Sequence, residues 1–131
     1  MPVIQVQTRG RDQALDVTAQ VAEVVAASGL ARGWCRLFAP HTTAGLAINE
    51  AADPAVMADV LAALDRLVPW RGPYHHAEGN SAAHIKSILV GSSLTLPVVA
   101  GRLELGTWQG VFFMEFDGPR RRRLRVEVDP A

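Results

Sequence analysis

The stretch "SLTLPVVAGRLELGTWQGVFFMEFDGPRRRRLRVEV", Ser93 to Val128, decides the fold class. It holds four runs of strand character, "SLTLPVV", "RLELGTW", "GVFFMEF" and "RLRVEV", and glycine or proline separates most of them. No helical period lies between them. Parallel neighbours need long crossover connections, usually helices, so this segment cannot build a doubly wound sheet and its strands are expected to pair antiparallel.

Upstream, "VIQVQT" alternates, with Ile4, Val6 and Thr8 opposed to Val3, Gln5 and Gln7, as in a half-buried strand. Asp12 is expected to cap a helix in which Val17, Val21, Val24 and Val25 share a face, with Gly29 ending it in a left-handed conformation. "GWCRLFA" and "LAINE" read as further strands. In "ADPAVMADVLAALDRLVP", Asp53 caps, Pro54 suits the first helical position, and Val56, Val60, Leu64 and Leu67 form the apolar stripe until Pro69 stops the helix. "WRGPYHHAEGN" is a loop by its glycine and proline content. "SAAHIKSILVG" is expected as a short helix with Ile85, Ile88 and Leu89 facing inward, although its last residues also fit a buried strand. The sum is an α+β fold dominated by antiparallel sheet, over residues 1–131 as a single domain.

Composition sets the function classes. The chain is 49% hydrophobic and 20% charged, with a formal net charge of zero, which suits a globular protein with a real core. Neutrality disfavours a dedicated nucleic-acid binder, because no overall field draws phosphates in. Lys86 is the only lysine, and five arginines crowd between Arg120 and Arg125. Cys35, the single cysteine, excludes an intrachain disulfide and reads as core filler. The start "MPVIQVQTRG" lacks the pattern of an export signal, and no apolar run is long enough to span a membrane, so a cytoplasmic location without membrane association is expected.

Three polar clusters carry candidate chemistry. In "HTTAGLAINE", His41 follows a strand and Pro40, Thr42 and Thr43 offer hydroxyls beside it, Gly45 permits close approach of another element, and Glu50 lies at the far end of the next strand. Turn-capping threonines and a satisfied interface histidine are the alternative. In "YHHAEGNSAAHIKS", His75 and His76 are adjacent and point to opposite sides of an extended chain, while His84 begins a helical turn. If His76 and His84 meet His41 across the fold, three imidazoles make a face for a divalent metal, which activates water or polarises a substrate oxygen. Asp59 or Glu50 then orients a ligand ring or moves a proton. The competing reading is that the imidazoles and Lys86 hold a phosphate directly.

The third cluster joins "LGTWQG" to "EFDGPRRRR". Gly106 and Gly110 bracket Thr107, Trp108 and Gln109 in a constrained turn, and Glu115 interrupts the apolar face of Val111 and Phe113, as an edge strand also allows. Arg120 follows a Gly-Pro turn and suits a bidentate contact with phosphate or carboxylate. Arg121 and Arg122 read as solvated turn residues, while Arg123 and Arg125 alternate outward against Leu124 and Val126. No Walker loop, Rossmann fingerprint or serine nucleophile elbow is present.

Taken in order, "HTTAGLAINEAADPAV", "AAHIKSILVGSSLTLPV", "GRLELGTWQG" and "EFDGPRRRR" resemble the YjbQ-like family, also called the secondary thiamine-phosphate synthase family, from about Val3 to Val128. The resemblance implies antiparallel, β-sandwich-like sheets with flanking helices, assembled as a homotrimer. It implies a histidine-lined pocket near subunit contacts, with His41, His76 and His84 at the family's histidine positions, Glu50, Asp53 and Asp59 at its acidic positions, and Gly106 to Gln109 at its Gly-Thr-Trp-Gln segment. The implied activity is condensation of a thiazole phosphate with an aminopyrimidine diphosphate, assisted by a divalent metal, Zn or Mg. In that reading His76 and His84 hold the cation, and Thr42, Thr43, Lys86, Thr107, Gln109 and Arg120 surround the phosphorylated small molecule. A non-catalytic trimeric protein that binds a metal or a phosphorylated metabolite is the alternative. The chain departs from the family pattern at Ala51, where Asn is usual, and at Ala77, where Asp or Asn is usual.

Overall fold

The computed structural model describes residues 2–131. The elements run β1 (Val3–Gln7), β2 (Gln13–Asp16), α1 (Thr18–Ser28), β3 (Arg32–Phe38), β4 (Ala44–Glu50), α2 (Pro54–Leu67), α3 (Ser81–Val90), β5 (Ser93–Val99), β6 (Arg102–Leu103), β7 (Gln109–Glu115) and β8 (Arg121–Pro130). They form two sheets, one of order β1-β8-β3-β5-β6 and one of order β2-β7-β4. Every pairing is antiparallel, as the helix-free run of late strands requires.

The main core lies between the two sheets. It gathers Val6, Leu37, Leu96, Val98, Leu124 and Val126 from one side, Leu46, Val111 and Phe113 from the other, and Val21 and Val25 of α1. A second core on the outer side of the small sheet packs Phe112, Met114 and Phe116 against Met57 and Ala83, flanked by Val60, Leu61, Leu64 and Trp70. β7 therefore feeds both cores. Residues 110–116 are all buried, which explains why "VFFMEF" is nearly continuous in apolar character: a strand covered on both faces has no solvent side on which to alternate.

Several expectations are corrected. Asp12 does not cap α1; β2 intervenes and pairs with β7, and the helix starts after Val17. Gly29 does end α1 at φ 69°, and Asp53 does cap α2, its carboxylate accepting from the Ala55 N–H at 2.9 Å. Of the expected α2 stripe, Val60 and Leu64 pack against the second core beside the buried Met57, whereas Leu67 is 75% exposed. α3 is turned the other way altogether. Ile88 and Leu89 are 82% and 61% exposed and Ile85 is also turned outward, while Ala82, Ala83, Lys86 and Ser87 face inward. The reason is polar. The Lys86 ammonium donates to Asp12 Oδ2 at 2.7 Å and Asp65 Oδ1 at 3.0 Å, and the Ser87 hydroxyl donates to the Ala44 carbonyl at 2.6 Å. These bonds tie α3 to the turn before β2, to α2 and to β4. The hydrogen bond from Lys86, helped by its charge, also holds the Asp65 carboxyl below its ordinary range.

Glu115 is no edge residue, because β7 is the central strand of its sheet. Arg122 is no solvated turn residue either; it shares the inward face of β8 with Leu124 and Val126 and is buried. The two form an ion pair that joins the small sheet to the large one. Glu115 Oε1 also accepts from the Thr8 hydroxyl at 2.7 Å and the Arg122 Nε–H at 2.8 Å, while Oε2 accepts from the backbone N–H groups of Phe116 and Asp117, each at 3.0 Å. A Cβ on Gly118 would lie 2.8 Å from the Thr8 hydroxyl and from Glu115 Cγ, so only glycine lets the β7–β8 turn close over this pair. Gly45 has the same role under α3, where a Cβ would sit 2.6 Å from the Gly91 carbonyl. Glu115→Gln is expected to cost about 3–5 kcal/mol in urea unfolding, because it strands the buried guanidinium, and the double variant with Arg122→Leu should cost less than the sum of the two single changes.

Candidate functional site

Three connections and the first turn of α3 meet at one end of the two sheets and enclose a cleft of about 690 Å³. The β3–β4 link contributes His41, Thr42 and Thr43; the loop before α3 contributes His76, Glu78 and the cap residue Asn80; the first turn of α3 contributes His84; and the β7–β8 turn contributes Asp117 and Arg120. All three singled-out histidines line this cleft. His75 does not, and lies instead in a neighbouring depression with Pro73, Tyr74, Ser81 and Ile85.

The three imidazoles are not equivalent. His76 and His84 stand edge to face with ring centroids 5.3 Å apart. His41 is anchored at its Nε2, which accepts the Arg123 backbone N–H at 2.9 Å, and its ring meets Phe113 edge-on at 6.3 Å. Burial and then the Arg122 charge push the His41 pKa below the ordinary histidine value. The Arg123 carbonyl, 3.2 Å from the same nitrogen, opposes this, but burial and the cation outweigh it. His41 is thus a neutral ring with one nitrogen already engaged. Among the described residues, no group of three or more His, Cys, Asp or Glu is set to hold a metal ion. His76 and His84 remain a pair of imidazoles able to share one cation.

The two arginines at the cleft are also distinct. Arg122 forms the floor, its Nη2 donating to the Thr43 hydroxyl at 2.8 Å as well as to Glu115. Thr43 is therefore turned inward, and Thr42 stands at the rim. Arg120 is about half exposed, its Nε donating to the Asp117 carbonyl at 2.8 Å and its Nη2 to Asp117 Oδ2 at 3.0 Å. Asn80 Nδ2 donates to that same Oδ2 at 2.9 Å. Asn80, Asp117, Glu78 and Arg122 were not among the residues singled out from the sequence. Asn80 has a legible signal as the polar residue just before a helix, and Asp117 as the acid three positions before Arg120.

The remaining candidates lie elsewhere in the chain. Lys86 is fully buried between its two carboxylates, so it presents no ammonium to a phosphate in the cleft. Asp59 is exposed on α2. Glu50 is paired with Gln109 across β4 and β7, whereas Ala44 and Glu115 pair at the other end of the same ladder, beside the cleft. Six residues separate the two ends, about 20 Å at strand rise. Gln109 Oε1 accepts from the Gly106 N–H at 2.8 Å and braces the turn that carries Thr107; Trp108 in that turn is 64% exposed. Glu50 and the turn carrying Thr107 and Gln109 thus lie at the end of the small sheet away from the cleft, while Lys86 is sealed behind α3 and Asp59 sits on the exposed side of α2.

Residues 2–130 match the family described as UPF0047 protein YjbQ-like. The chain belongs to this family. It is 46% identical to a UPF0047 protein of Methanocaldococcus jannaschii, covering 95% of this chain and 90% of that one, and 44% identical to YugU of Bacillus subtilis, covering 98% of both. The crystal structure of an uncharacterised YjbQ/UPF0047 family protein from Clostridium acetobutylicum superposes with a TM-score of 0.97 at 47% identity, over 98% of this chain and all of that one. A conserved hypothetical protein from Thermus thermophilus follows the same path, with a TM-score of 0.90 at 43% identity, over 98% of this chain and all of that one. These matches place the YjbQ-like fold on the whole described chain. No helix among the described residues is long and apolar enough to cross a membrane.

Because His41 is held neutral in the folded chain, the unfolded chain binds its proton first as pH falls. Stability should therefore decline as pH drops below the ordinary histidine value of about 6.5, until the folded pKa is passed. Thermal midpoints between pH 7.5 and pH 5 check this. His41→Gln, whose side-chain oxygen can still accept from the Arg123 N–H, should flatten the decline.

Proposed function

We propose that the cleft binds a phosphorylated small molecule, with Arg120, His76 and His84 around its phosphate and Thr42 at the rim. The observation that carries this reading is the convergence of three histidines and a half-exposed arginine, from three connections and the first turn of α3, on one cleft. The charge balance bears on what accompanies the phosphate. Arg122 is matched by Glu115 and Arg120 by Asp117, and Glu78 adds a further carboxylate. A diphosphate would bring negative charge that the chain alone does not offset. A divalent cation, Mg or Zn, held by His76 and His84, would supply that charge and ease departure of a diphosphate.

The finer reading is a transferase of the secondary thiamine-phosphate synthase type. The thiazole nitrogen forms a bond to the pyrimidine methylene carbon as the carbon–oxygen bond to diphosphate breaks, and the electron pair leaves with pyrophosphate. The chain's own part is to hold the leaving group against Arg120 and to keep the two reactants in one dry site. The same reading includes a homotrimer. Within one chain the cleft and the Glu50–Gln109 end are about 20 Å apart, and a closed ring of copies allows one protomer's cleft to face that end of its neighbour. The exposed Ile85 and Ile88 border this region, since each lines a depression with His84 beside the cleft. Binding without turnover is a second reading, favoured by the engagement of His41 Nε2 with Arg123, which leaves the cation two imidazoles rather than three.

Light scattering should give about three times the 14.1 kDa chain mass. His84→Ala and Arg120→Ala are each expected to weaken binding of the aminopyrimidine diphosphate about tenfold or more by calorimetry in excess magnesium. Asp59→Asn, exposed on α2, tests whether that carboxylate assists: wild-type turnover in this variant removes it from the mechanism. Wild-type affinity in both the His84 and Arg120 variants would remove the phosphate site itself.

A further inference from the structure

We infer that Asp117, pinned by Asn80, is a positioning residue that fixes the Arg120 guanidinium so that one edge faces the cleft; the inference rests on the phosphate reading above. Arg120 carries five N–H donors in a rigid fork. The side edge is spent on Asp117, with Nε donating to its backbone carbonyl at 2.8 Å and Nη2 to its carboxylate at 3.0 Å. The terminal edge, formed by Nη1 and the second proton of Nη2, remains for a bidentate contact with an oxyanion. A carboxylate placed at the edge of an anion site is unfavourable by charge alone. Its presence is accounted for if orienting the arginine is worth more than the repulsion costs.

Asn80 shows that the arrangement is held in place. The side chain is only 6% exposed, and its amide nitrogen donates to Asp117 Oδ2 at 2.9 Å, the oxygen that also receives Arg120. Its own Oδ1 is buried without a hydrogen-bond partner among the described residues. Rotating the amide would not relieve this, because it would set Oδ1 against the Asp117 carboxylate. Asn80 thus accepts an unsatisfied oxygen in order to fix Asp117 from one side while Arg120 takes it from the other. Asn80 also precedes α3, so the helix that presents His84 and the turn that presents Arg120 are joined through one carboxylate oxygen.

Charge and position make opposite predictions for two variants of Asp117. Pyrophosphate is titrated into the full-length protein by calorimetry in excess magnesium chloride, with thermal midpoints taken to confirm that each variant is folded at the assay temperature. Asp117→Asn removes the charge but keeps an oxygen able to accept from both Arg120 and Asn80, and should bind as tightly as wild type or more tightly. Asp117→Ala removes the charge and the acceptor together, and is expected to bind about tenfold more weakly. Asn80→Ala should fall between the two. Binding by Asp117→Ala as tight as wild type or tighter would show that the carboxylate only repels, and overturns the inference while leaving the phosphate site in place. If Arg120→Ala binds pyrophosphate as wild type does, both the phosphate reading and the positioning inference fail together.

Discussion

The buried pair of Glu115 and Arg122 is the constraint on which the architecture turns. Glu115 sits on the central strand of the small sheet and Arg122 on β8 of the large one, so their contact sets how the two sheets close at one end. The same carboxylate takes the Thr8 hydroxyl, which follows β1, and two backbone N–H groups of the β7–β8 turn. The same guanidinium reaches the Thr43 hydroxyl in the link that carries His41. An ion pair of this kind adds little net stability compared with apolar packing of the same volume. What it supplies is direction, because each partner has a fixed set of donors or acceptors that only one arrangement satisfies. The cleft stands directly on that arrangement, with Arg122 as its floor and Asp117 and Arg120 on the turn that Glu115 holds.

This explains why polar side chains collect at that end of the sheets. Strand termini and their connections leave backbone groups unpaired, and a rigid scaffold behind them lets short loops hold side chains in fixed places. Here the loops are held by side-chain bonds as much as by the ladders. His41 is clamped by the backbone of Arg123, Asn80 by Asp117, and Arg120 by both oxygens that Asp117 presents, one from its backbone and one from its carboxylate. His76, His84, Thr42 and the free edge of Arg120 are left to meet a ligand, with Glu78 and Ser92 beside them.

The sequence shows the antiparallel class plainly, because the missing crossover helices after Ser93 leave no other topology. It also shows the caps of α2 and the end of α1, where single residues carry the signal. It misleads wherever a buried polar group outweighs an apolar pattern. Ile85, Ile88 and Leu89 look like the inner face of a helix, yet Lys86 and Ser87 take that face because their partners, Asp12, Asp65 and Ala44, come from distant parts of the chain. Arg122 looks like one more solvated arginine among five, and only the position of Glu115 across the turn reveals that the β8 alternation runs back through it. Local spacing marks His41, His76 and His84 as polar residues in polar segments. That they share one cleft depends on pairings between β3, β8 and β7 that no local pattern contains.

The inverted α3 also bears on assembly. A helix that buries a lysine and exposes isoleucine and leucine gives up hydrophobic stabilisation, about 1.5–3 kcal/mol for each large apolar side chain left in water rather than buried. The two carboxylates and the Phe116 ring, 5.9 Å from the Lys86 ammonium, satisfy the charge, but they do not recover the apolar area on the outside. Covering Ile88 and Leu89 with another surface would recover it. A closed ring of identical copies, as proposed above, would do so without demanding a second protein, and it would set the covered face beside the cleft, since Ile88 and His84 border the same depression. In that arrangement the polar inner face of α3 would fix His84 within its own chain while the apolar outer face would dock a neighbour. Assembly and the shape of the cleft would then depend on the same ten-residue helix.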